Sequence, residues 1–351
     1  MSDQRARIVA FYLPQFHPIP LNDEVYGVGF TEWTHLAAAR PLYRGHHQPI
    51  MPGELGFYDL RVPEVRAQQA ELARTHGVEG FCYWHYWSDG QRLIERPFQE
   101  VLESGEPDLP FCLGWANHAW DDITGRKGRI FDQKYPGPAD WEAHFRAMEP
   151  AFHDPRHIRV GGHPLFYLFR PAEIPDIEEF CESWREMAAS SGLGDMHFVG
   201  QMRPPHDGAA AVHIRDSMDA VVYINTTPPP SMRPATVRLV DRLRGGPIRS
   251  QYADLLKLPV APDTSSPYYP CLVTNWDNTP RWGRKGEVVE NATPELFGQL
   301  ARRAVAAVAD RPLDERIIFV KSWNEWAEGN HLEPDAATGR ARLEAVAAAV
   351  R

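Results

Sequence analysis

The sequence has no long apolar stretch and no cysteine pairs at close spacing. None of its apolar runs approaches the roughly 20 residues that a membrane-spanning helix needs. The segment Met1 to Arg7 is polar and does not have the architecture of a signal peptide. The four cysteines, Cys82, Cys112, Cys181 and Cys271, lack C-x-x-C spacing. These features predict free thiols and a cytoplasmic protein without a membrane span.

Positive charge is also scarce. The 351 residues contain 37 Lys and Arg against 47 Asp and Glu, for a net charge of -10. A nucleic-acid partner is therefore not expected, because phosphate binding draws on clustered cations. The densest basic group, Arg242, Arg244 and Arg249, is better explained as the solvated face of a helix.

Several well-known catalytic motifs are missing. The sequence has no G-x-x-x-x-G-K-[ST] loop, no H-E-x-x-H, no G-x-S-x-G and no D-x-D pair. The histidines, including His46 and His47, do not have the spacing of metal ligands. We therefore expect neither a metal nor a cofactor.

Apolar runs alternate with helical patterns along the whole chain. The predicted strands are 7–13, 78–84, 110–116, 164–169, 197–202, 219–224, 270–275 and 316–322. The predicted helices are 63–77, 92–103, 140–152, 176–190, 249–256, 293–308 and 342–350, and residues 203–217 are ambiguous. Because no glycine-rich loop follows the first strand, this alternation predicts a single (β/α)8 TIM barrel domain over residues 1–351 rather than a doubly wound sheet.

Two long connections, 15–60 and 226–246, interrupt this alternation. Both follow predicted strands, so we expect them at the C-terminal face of the barrel, where the active sites of such barrels are built. Irregular segments of this length in a compact domain are usually functional.

The ends of the predicted strands are rich in aromatic, amide and charged side chains. Aromatic rings match the apolar faces of sugars, and amides and carboxylates match their hydroxyls, so we predict a carbohydrate site. Simple packing is the alternative for any single tryptophan, Trp115 and Trp141 above all. The predicted substrate-binding residues are His17, Glu32, Trp33, Tyr83, Trp84, His85, Tyr86, Trp87, Asn117, His118, Trp120, Arg170, Gln201, Tyr223, Asn225, Trp276, Asp277, Trp323 and Asn324.

Two carboxyls follow the last predicted strand at a spacing of three. Glycoside hydrolysis commonly uses one protonated and one ionised carboxyl, and a helical turn would point Glu325 and Glu328 the same way. Apolar neighbours and mutual repulsion would keep one proton on such a pair. We predict that both are catalytic. The alternatives are a structural role for the pair, or Asp277, Glu333 or Asp335 as the reacting acid.

Six motifs carry a resemblance to a known family. They are Y-L-P-Q-F-H at 12–17, G-F-T-E-W-T at 29–34, G-F-C-Y-W-H-Y-W at 80–87, W-A-N at 115–117, W-D-N-T-P-R at 276–281 and W-N-E-W-A-E-G at 323–329. Together they resemble the WbsX-like family, which is related to glycoside hydrolase family 99. The resemblance implies a (β/α)8 barrel that acts on α-linked glycans with retention and without a metal. It also implies that Glu325 deprotonates the sugar's own neighbouring hydroxyl and that Glu328 is the acid/base.

One position departs from the endo-α-mannosidases of family 99, since Ala327 stands where they tend to carry histidine. This difference bears on the sugar more than on the mechanism. We therefore expect a retaining hydrolase of α-linked mannose- or rhamnose-type residues in a bacterial polysaccharide or oligosaccharide. The alternatives are a glycosyltransferase of surface-polysaccharide synthesis and a non-catalytic carbohydrate-binding barrel.

Overall fold

Nine parallel strands form the wall of a nearly closed barrel in the computed structural model, which describes residues 5–123, 127–202, 214, 216–232, 245–260 and 266–351. In chain order they are β1 (Arg7–Tyr12), β2 (Val78–Ser88), β3 (Phe111–Trp115), β4 (His163–Leu168), β5 (His197–Met202), β6 (Ala220–Tyr223), β7 (Tyr268–Tyr269), β8 (Cys271–Val273) and β9 (Ile317–Lys321). Their order in the sheet is β7-β6-β5-β4-β3-β2-β1-β9-β8. The predicted (β/α)8 barrel is confirmed.

The seventh predicted strand differs from expectation. It begins at Tyr268 rather than Pro270 and is divided by Pro270 into β7 and β8, since proline has no N–H to contribute to a sheet. The first piece pairs with β6 and the second with β9. The two pieces of one short segment thus form the two ends of the sheet, and Pro270 links them along the chain.

Helices occupy most of the predicted positions. They are α1 (Pro20–Tyr26), α2 (Glu32–Ala38), α3 (Pro63–Thr75), α4 (Arg96–Ser104), α5 (Pro138–His153), α6 (Ile177–Ser190), α7 (Tyr252–Leu255), α8 (Thr279–Trp282), α9 (Pro294–Val308) and α10 (Ala341–Val350). Thr293 caps α9 by accepting a hydrogen bond from the backbone N–H of Leu296.

Three predictions about connecting segments need correction. The helix predicted at 92–103 begins only at Arg96, because Gln91–Leu93 pairs with the end of β2. The helix predicted at 249–256 is limited to α7, because Ile248–Gln251 pairs with Glu287–Glu290. Arg249 therefore lies in a strand. The long connection 15–60 contains α1 and α2, whereas most of 203–217 and of 226–246, with Arg242 and Arg244, lies outside the described residues.

Aromatic rings fill the inside of the barrel. Phe11 of β1 stacks on Trp84 of β2 with ring centroids 4.7 Å apart, and on Phe319 of β9 at 5.1 Å. Trp115 and Trp141 are both buried, so the packing interpretation holds for these two. All four cysteines are free. Within the described residues, no helix is both long and apolar enough to cross a membrane.

A buried carboxyl, that of Glu333, fixes the segment that follows β9. It accepts hydrogen bonds from Tyr58 Oη at 2.8 Å, Gln69 Nε2 at 2.6 Å and Trp326 Nε1 at 2.6 Å. Burial raises the pKa of Glu333 to about 7 even though these donors favour its ionised form. The segment carrying Glu325 and Glu328 is thereby bonded to α3 and to the connection that follows β1.

Glu333→Gln is expected to lower the free energy of unfolding by about 1–3 kcal/mol at pH 8, because its amide NH2 would face a donor and leave a buried group unpaired. Urea denaturation checks this. Glu54→Gln, which removes one half of an exposed ion pair with Arg340, is the matched control and should cost less than about 1 kcal/mol. Equal stability of Glu333→Gln and wild type would contradict the structural role of Glu333.

Candidate active site

A cleft of about 690 Å³ opens at the C-terminal ends of the barrel strands. Its walls combine aromatic rings with amide, imidazole and charged side chains. Of the predicted substrate-binding residues, those that line it are Glu32, Trp84, Tyr86, His118, Trp120, Arg170, Gln201, Tyr223, Asn225 and Trp276. Both predicted catalytic residues, Glu325 and Glu328, line the same cleft.

A single turn of 3-10 helix, Trp326–Glu328, brings the two glutamates to the same side of the chain. Their carboxyls are close enough for each to shift the pKa of the other. Gly329 ends the turn with φ +61°, and a Cβ there would lie 3.0 Å from Asp277 Cβ. Glycine is therefore required at this position both by the backbone conformation and by the close approach of Asp277.

Two cations hold the carboxyl pair. Lys321 Nζ, at the end of β9, lies 3.0 Å from Glu325 Oε2 and 3.8 Å from Glu328 Oε2. Arg281 Nη1, in α8, donates to Glu328 Oε1 at 2.6 Å, and its Nη2 donates to Glu32 Oε2 at 3.0 Å. Three carboxyls thus share two cations in a largely buried cluster.

The two catalytic candidates have opposite pKa shifts. Burial favours the neutral form of both, yet the Lys321 ammonium holds the pKa of Glu325 well below its usual range. Burial and the neighbouring charge of Glu325 raise the pKa of Glu328 well above its usual range, although Arg281 opposes this. These shifts favour an ionised Glu325 beside a protonated Glu328.

The remaining predicted residues on β2 lie behind the cleft, because successive side chains of a strand point to opposite faces. Trp84 and Tyr86 line the cleft, whereas Tyr83, His85 and Trp87 do not. His85 Nε2 lies 2.8 Å from His144 Nε2 of α5, and Trp87 Nε1 donates to Asp140 Oδ1 at 3.1 Å. These two side chains join the strand to a helix.

The other predicted residues outside the cleft also have partners within the protein. His17 Nδ1 lies 2.9 Å from Pro14 O, Trp33 Nε1 donates to Tyr58 O at 2.7 Å, and the ring of Trp323 lies 4.8 Å from that of Phe81. Asn117 Nδ2 donates to Tyr135 Oη at 2.9 Å and to Arg170 O at 2.8 Å. Asn324 Nδ2 donates to Leu13 O at 3.0 Å. Their observed contacts are structural.

The alternative acids do not line the cleft. Asp277 accepts hydrogen bonds from His46 Nε2 at 2.8 Å, Gln48 Nε2 at 2.7 Å and Thr279 Oγ1 at 2.6 Å. Asp335 is paired with Arg342 at 2.7 Å, and Glu333 is held as described above. All three carboxyls are used in joining chain segments.

Sequence reasoning missed several residues of the cleft, notably Lys321, Arg281, Tyr26, Phe30 and Trp282. Lys321 has a recognisable signal, since it is the only charged residue of β9, whose other residues are apolar. Arg281 belongs to one of the quoted motifs but was given no role. Trp282 at the rim is 47% exposed. Among the described residues, no group of three or more His, Cys, Asp and Glu could hold a metal ion.

A family model described as glycosyltransferase WbsX matches residues 8–346. The chain belongs to this family. Two proteins called uncharacterized protein WxcX, from two strains of Xanthomonas campestris pv. campestris, are 38% identical to it over 352 residues. The match covers 97% of this WbsX-family chain and 49% of each WxcX protein, so the chain spans about half the length of these curated relatives.

Solved structures share the barrel of this WbsX-family chain. A glycoside hydrolase-like protein superimposes with a TM-score of 0.62 at 14% identity, covering 99% of this chain and 94% of its own. The family 99 endo-α-mannosidase from Bacteroides thetaiotaomicron, in complex with bis-tris-propane, gives a TM-score of 0.58 at 15% identity, covering 100% and 97%. At such identities the likeness concerns the fold alone.

Lys321→Met is expected to raise the pKa of Glu325 by about 1–3 units, because its nearest cation is lost while burial persists. Carbon NMR of protein labelled at the glutamate carboxyls follows the titration, and Glu325→Gln assigns the signal. Lys257→Met, which removes an exposed lysine paired with Asp254, is the control and should leave the signal unchanged. An unshifted Glu325 signal in Lys321→Met would contradict the electrostatic role given to Lys321.

Proposed function

We propose that this WbsX-family chain is a retaining glycoside hydrolase that cleaves α-linked mannose- or rhamnose-type residues in a bacterial polysaccharide or oligosaccharide. The observation that carries the proposal is the carboxyl pair Glu325 and Glu328, both beside Lys321 and with pKa values shifted in opposite directions, inside a cleft lined by aromatic rings. Pairs of acids whose surroundings move their pKa values apart are typical of acid/base catalysis. The barrel shared with a family 99 endo-α-mannosidase agrees with this choice of reaction.

In the first step of the proposed mechanism, Glu325 removes the proton of the sugar's 2-hydroxyl, and this oxygen attacks the anomeric carbon. The bond from that carbon to the leaving oxygen breaks as Glu328 donates its proton to the leaving group. The products are a 1,2-anhydro sugar, a neutral Glu325 and an ionised Glu328. Attack by the sugar's own oxygen, with Glu325 as the base and Glu328 as the acid/base, is what the resemblance to family 99 implies.

In the second step, Glu328 takes a proton from water as the water attacks the anomeric carbon. The bond from the anomeric carbon to O2 opens, and Glu325 returns its proton to O2. Two displacements at one carbon give net retention. The negative charge passes from Glu325 to Glu328 and back, and Lys321 Nζ lies within 4 Å of both carboxyls. Arg281 stabilises Glu328 while it is ionised.

Recognition of the sugar is assigned to the residues that line the cleft. Trp84, Tyr86, Trp120 and Trp276 offer rings for its apolar faces. Hydroxyls are matched by Gln201, Asn225 and Tyr223, and by His118, whose pKa burial lowers to about 4 so that its ring is neutral.

Glu325→Gln and Glu328→Gln should each reduce turnover by about 100-fold or more, since each removes one proton transfer, while glycan binding changes little. A digestion panel of α-linked mannosides, rhamnosides and bacterial polysaccharides measures this, with product stereochemistry read by NMR. Glu182→Gln, on the exposed side of α6, is the control with unchanged turnover. An inverted product would contradict the retaining mechanism, and full hydrolysis by either variant would contradict the catalytic role of that glutamate.

The pH profile of kcat/KM should be bell-shaped. Activity rises with pH as Glu325 ionises, and its lowered pKa extends activity toward acid. Activity falls at higher pH as Glu328 loses its proton, and its raised pKa places this limb above the ordinary glutamate value of about 4.3. The two apparent pKa values belong to the pair. A profile that rises steadily into the alkaline range would contradict a protonated acid.

A glycosyltransferase of surface-polysaccharide synthesis is the second candidate, and the description of the matching family model favours it. In the described part of the cleft, however, each lysine and arginine of the lining is paired with a carboxylate, including Arg170 with Glu173. The diphosphate of a nucleotide sugar therefore has no unpaired cation to meet there. Release of nucleotide or lipid carrier from an activated sugar would identify a transferase.

Glycan binding without turnover by wild type would identify the third alternative, a non-catalytic carbohydrate-binding barrel.

A further inference from the structure

One amide in the wall of the cleft has no hydrogen-bond partner among the residues that the structure describes. Asn22, in the first turn of α1, lines the cleft and is 0% exposed. Neither its Oδ1 nor its Nδ2 makes a hydrogen bond. Buried amides in proteins are normally bonded, because an unpaired one loses its hydration without compensation. An unpaired amide in a cleft wall therefore suggests that a ligand bound in the cleft supplies its hydrogen-bond partners.

Two other buried asparagines show the usual arrangement. Asn324 Oδ1 accepts from Leu13 N at 2.8 Å, and its Nδ2 donates to Leu13 O at 3.0 Å. Asn117 Oδ1 accepts from Arg170 N at 2.8 Å while its Nδ2 donates to Tyr135 Oη. Neither of these side chains lines the cleft. Both connect segments of the chain, whereas Asn22 connects none.

The surroundings of Asn22 also fit a sugar. Tyr26 follows it by one helical turn, so the two side chains lie on the same face of α1, and both line the cleft. The ring of Tyr26 is stacked on that of Phe30, with centroids 4.4 Å apart. Glu32, on the same wall, is bonded to Arg281, which in turn is bonded to Glu328. The wall thus offers an amide beside an aromatic surface and is connected to the acid.

We propose that Asn22 and Tyr26 form a sugar-binding subsite. The Asn22 side chain, which no hydrogen bond within the described residues holds in its buried position, turns toward the cleft when a sugar binds. Its amide then donates to one substrate hydroxyl and accepts from the neighbouring one. This inference rests on the proposed function and specifies its substrate. An amide has one donor and one acceptor side, so it matches a pair of adjacent free hydroxyls. The sugar unit bound here therefore carries two free, uncharged hydroxyls on adjacent carbons. Acylation or another substituent on either hydroxyl prevents its binding.

Replacement of Asn22 by leucine tests this, because it removes both polar atoms and keeps a similar volume. The free protein should keep its Tm or gain about 2–4 °C, since an unpaired buried amide disappears. Affinity for the sugar should fall by about 10- to 100-fold through the loss of two hydrogen bonds. Asn117→Leu is the matched control and should lower Tm, because it breaks three hydrogen bonds.

The probes are methyl α-mannoside, methyl α-rhamnoside and their monodeoxy analogues, with binding measured by ligand-observed NMR. Wild type should bind two of the monodeoxy analogues more weakly than the parent sugar, and Asn22→Leu should bind those two and the parent alike. Wild-type affinity in Asn22→Leu, or a lowered Tm or loss of folding in this variant, would overturn the subsite. Binding of neither glycoside by wild type would overturn it as well. Hydrolysis by Glu325→Gln and Glu328→Gln tests the proposed function separately, since neither substitution changes Asn22.

Discussion

The site depends on a buried electrostatic imbalance of three carboxyls against two cations. Glu32, Glu325 and Glu328 share Arg281 and Lys321, so full ionisation would leave one uncompensated negative charge in a poorly solvated place. Burial makes such a charge costly, and one bound proton removes it. Lys321 lies 3.0 Å from Glu325 but 3.8 Å from Glu328. Arg281 lies 2.6 Å from Glu328 but is shared with Glu32, and burial together with the charge of Glu325 outweighs it, so the proton is favoured on Glu328. The opposite pKa shifts of Glu325 and Glu328 thus follow from burial and from the division of two cations among three carboxyls.

Other buried carboxyls hold the chain segments that carry these charged residues in position. Asp277 and Glu333 accept hydrogen bonds mainly from amide, hydroxyl, imidazole and indole groups, and they join the chain after β1 to the chain after β8 and β9. The Asp277 backbone N–H also donates to Glu328 O at 2.7 Å, which holds the turn that carries Glu328. The acids of this region therefore fall into two groups. Some carboxyls bind chain segments together, and those facing Lys321 and Arg281 in the cleft are available for reaction.

Much of this arrangement was predictable from local patterns. The strand–helix alternation predicted the barrel, and the spacing of Glu325 and Glu328 predicted that both would reach one side of a turn. Which aromatic residues face the cleft was not resolved, because the run Tyr83 to Trp87 is aromatic or histidine at every position and shows no alternation. The cations were missed for another reason. Arg281 and Glu32 are 249 positions apart, and only the closed barrel brings them together. Likewise, the pattern of residues 15–60 predicts an irregular connection without α1, so the sequence does not single out Asn22.

Hydrolysis and transfer are closer chemically than the names of the matching family and of the similar folds suggest. In the proposed mechanism the 1,2-anhydro sugar is opened by whichever hydroxyl Glu328 can deprotonate, and water and an acceptor sugar are equivalent in that step. What separates the two reactions is the donor. A nucleotide sugar carries two phosphate charges, whereas Arg281, Lys321 and Arg170 in the described cleft already face carboxylates. A neutral glycan binds instead through aromatic surfaces and amide groups. In the same cleft, Trp276 provides an aromatic ring and Asn22 provides an amide without a partner among the described residues. The charge state of the wall thus favours an uncharged glycosyl donor, whichever hydroxyl accepts it.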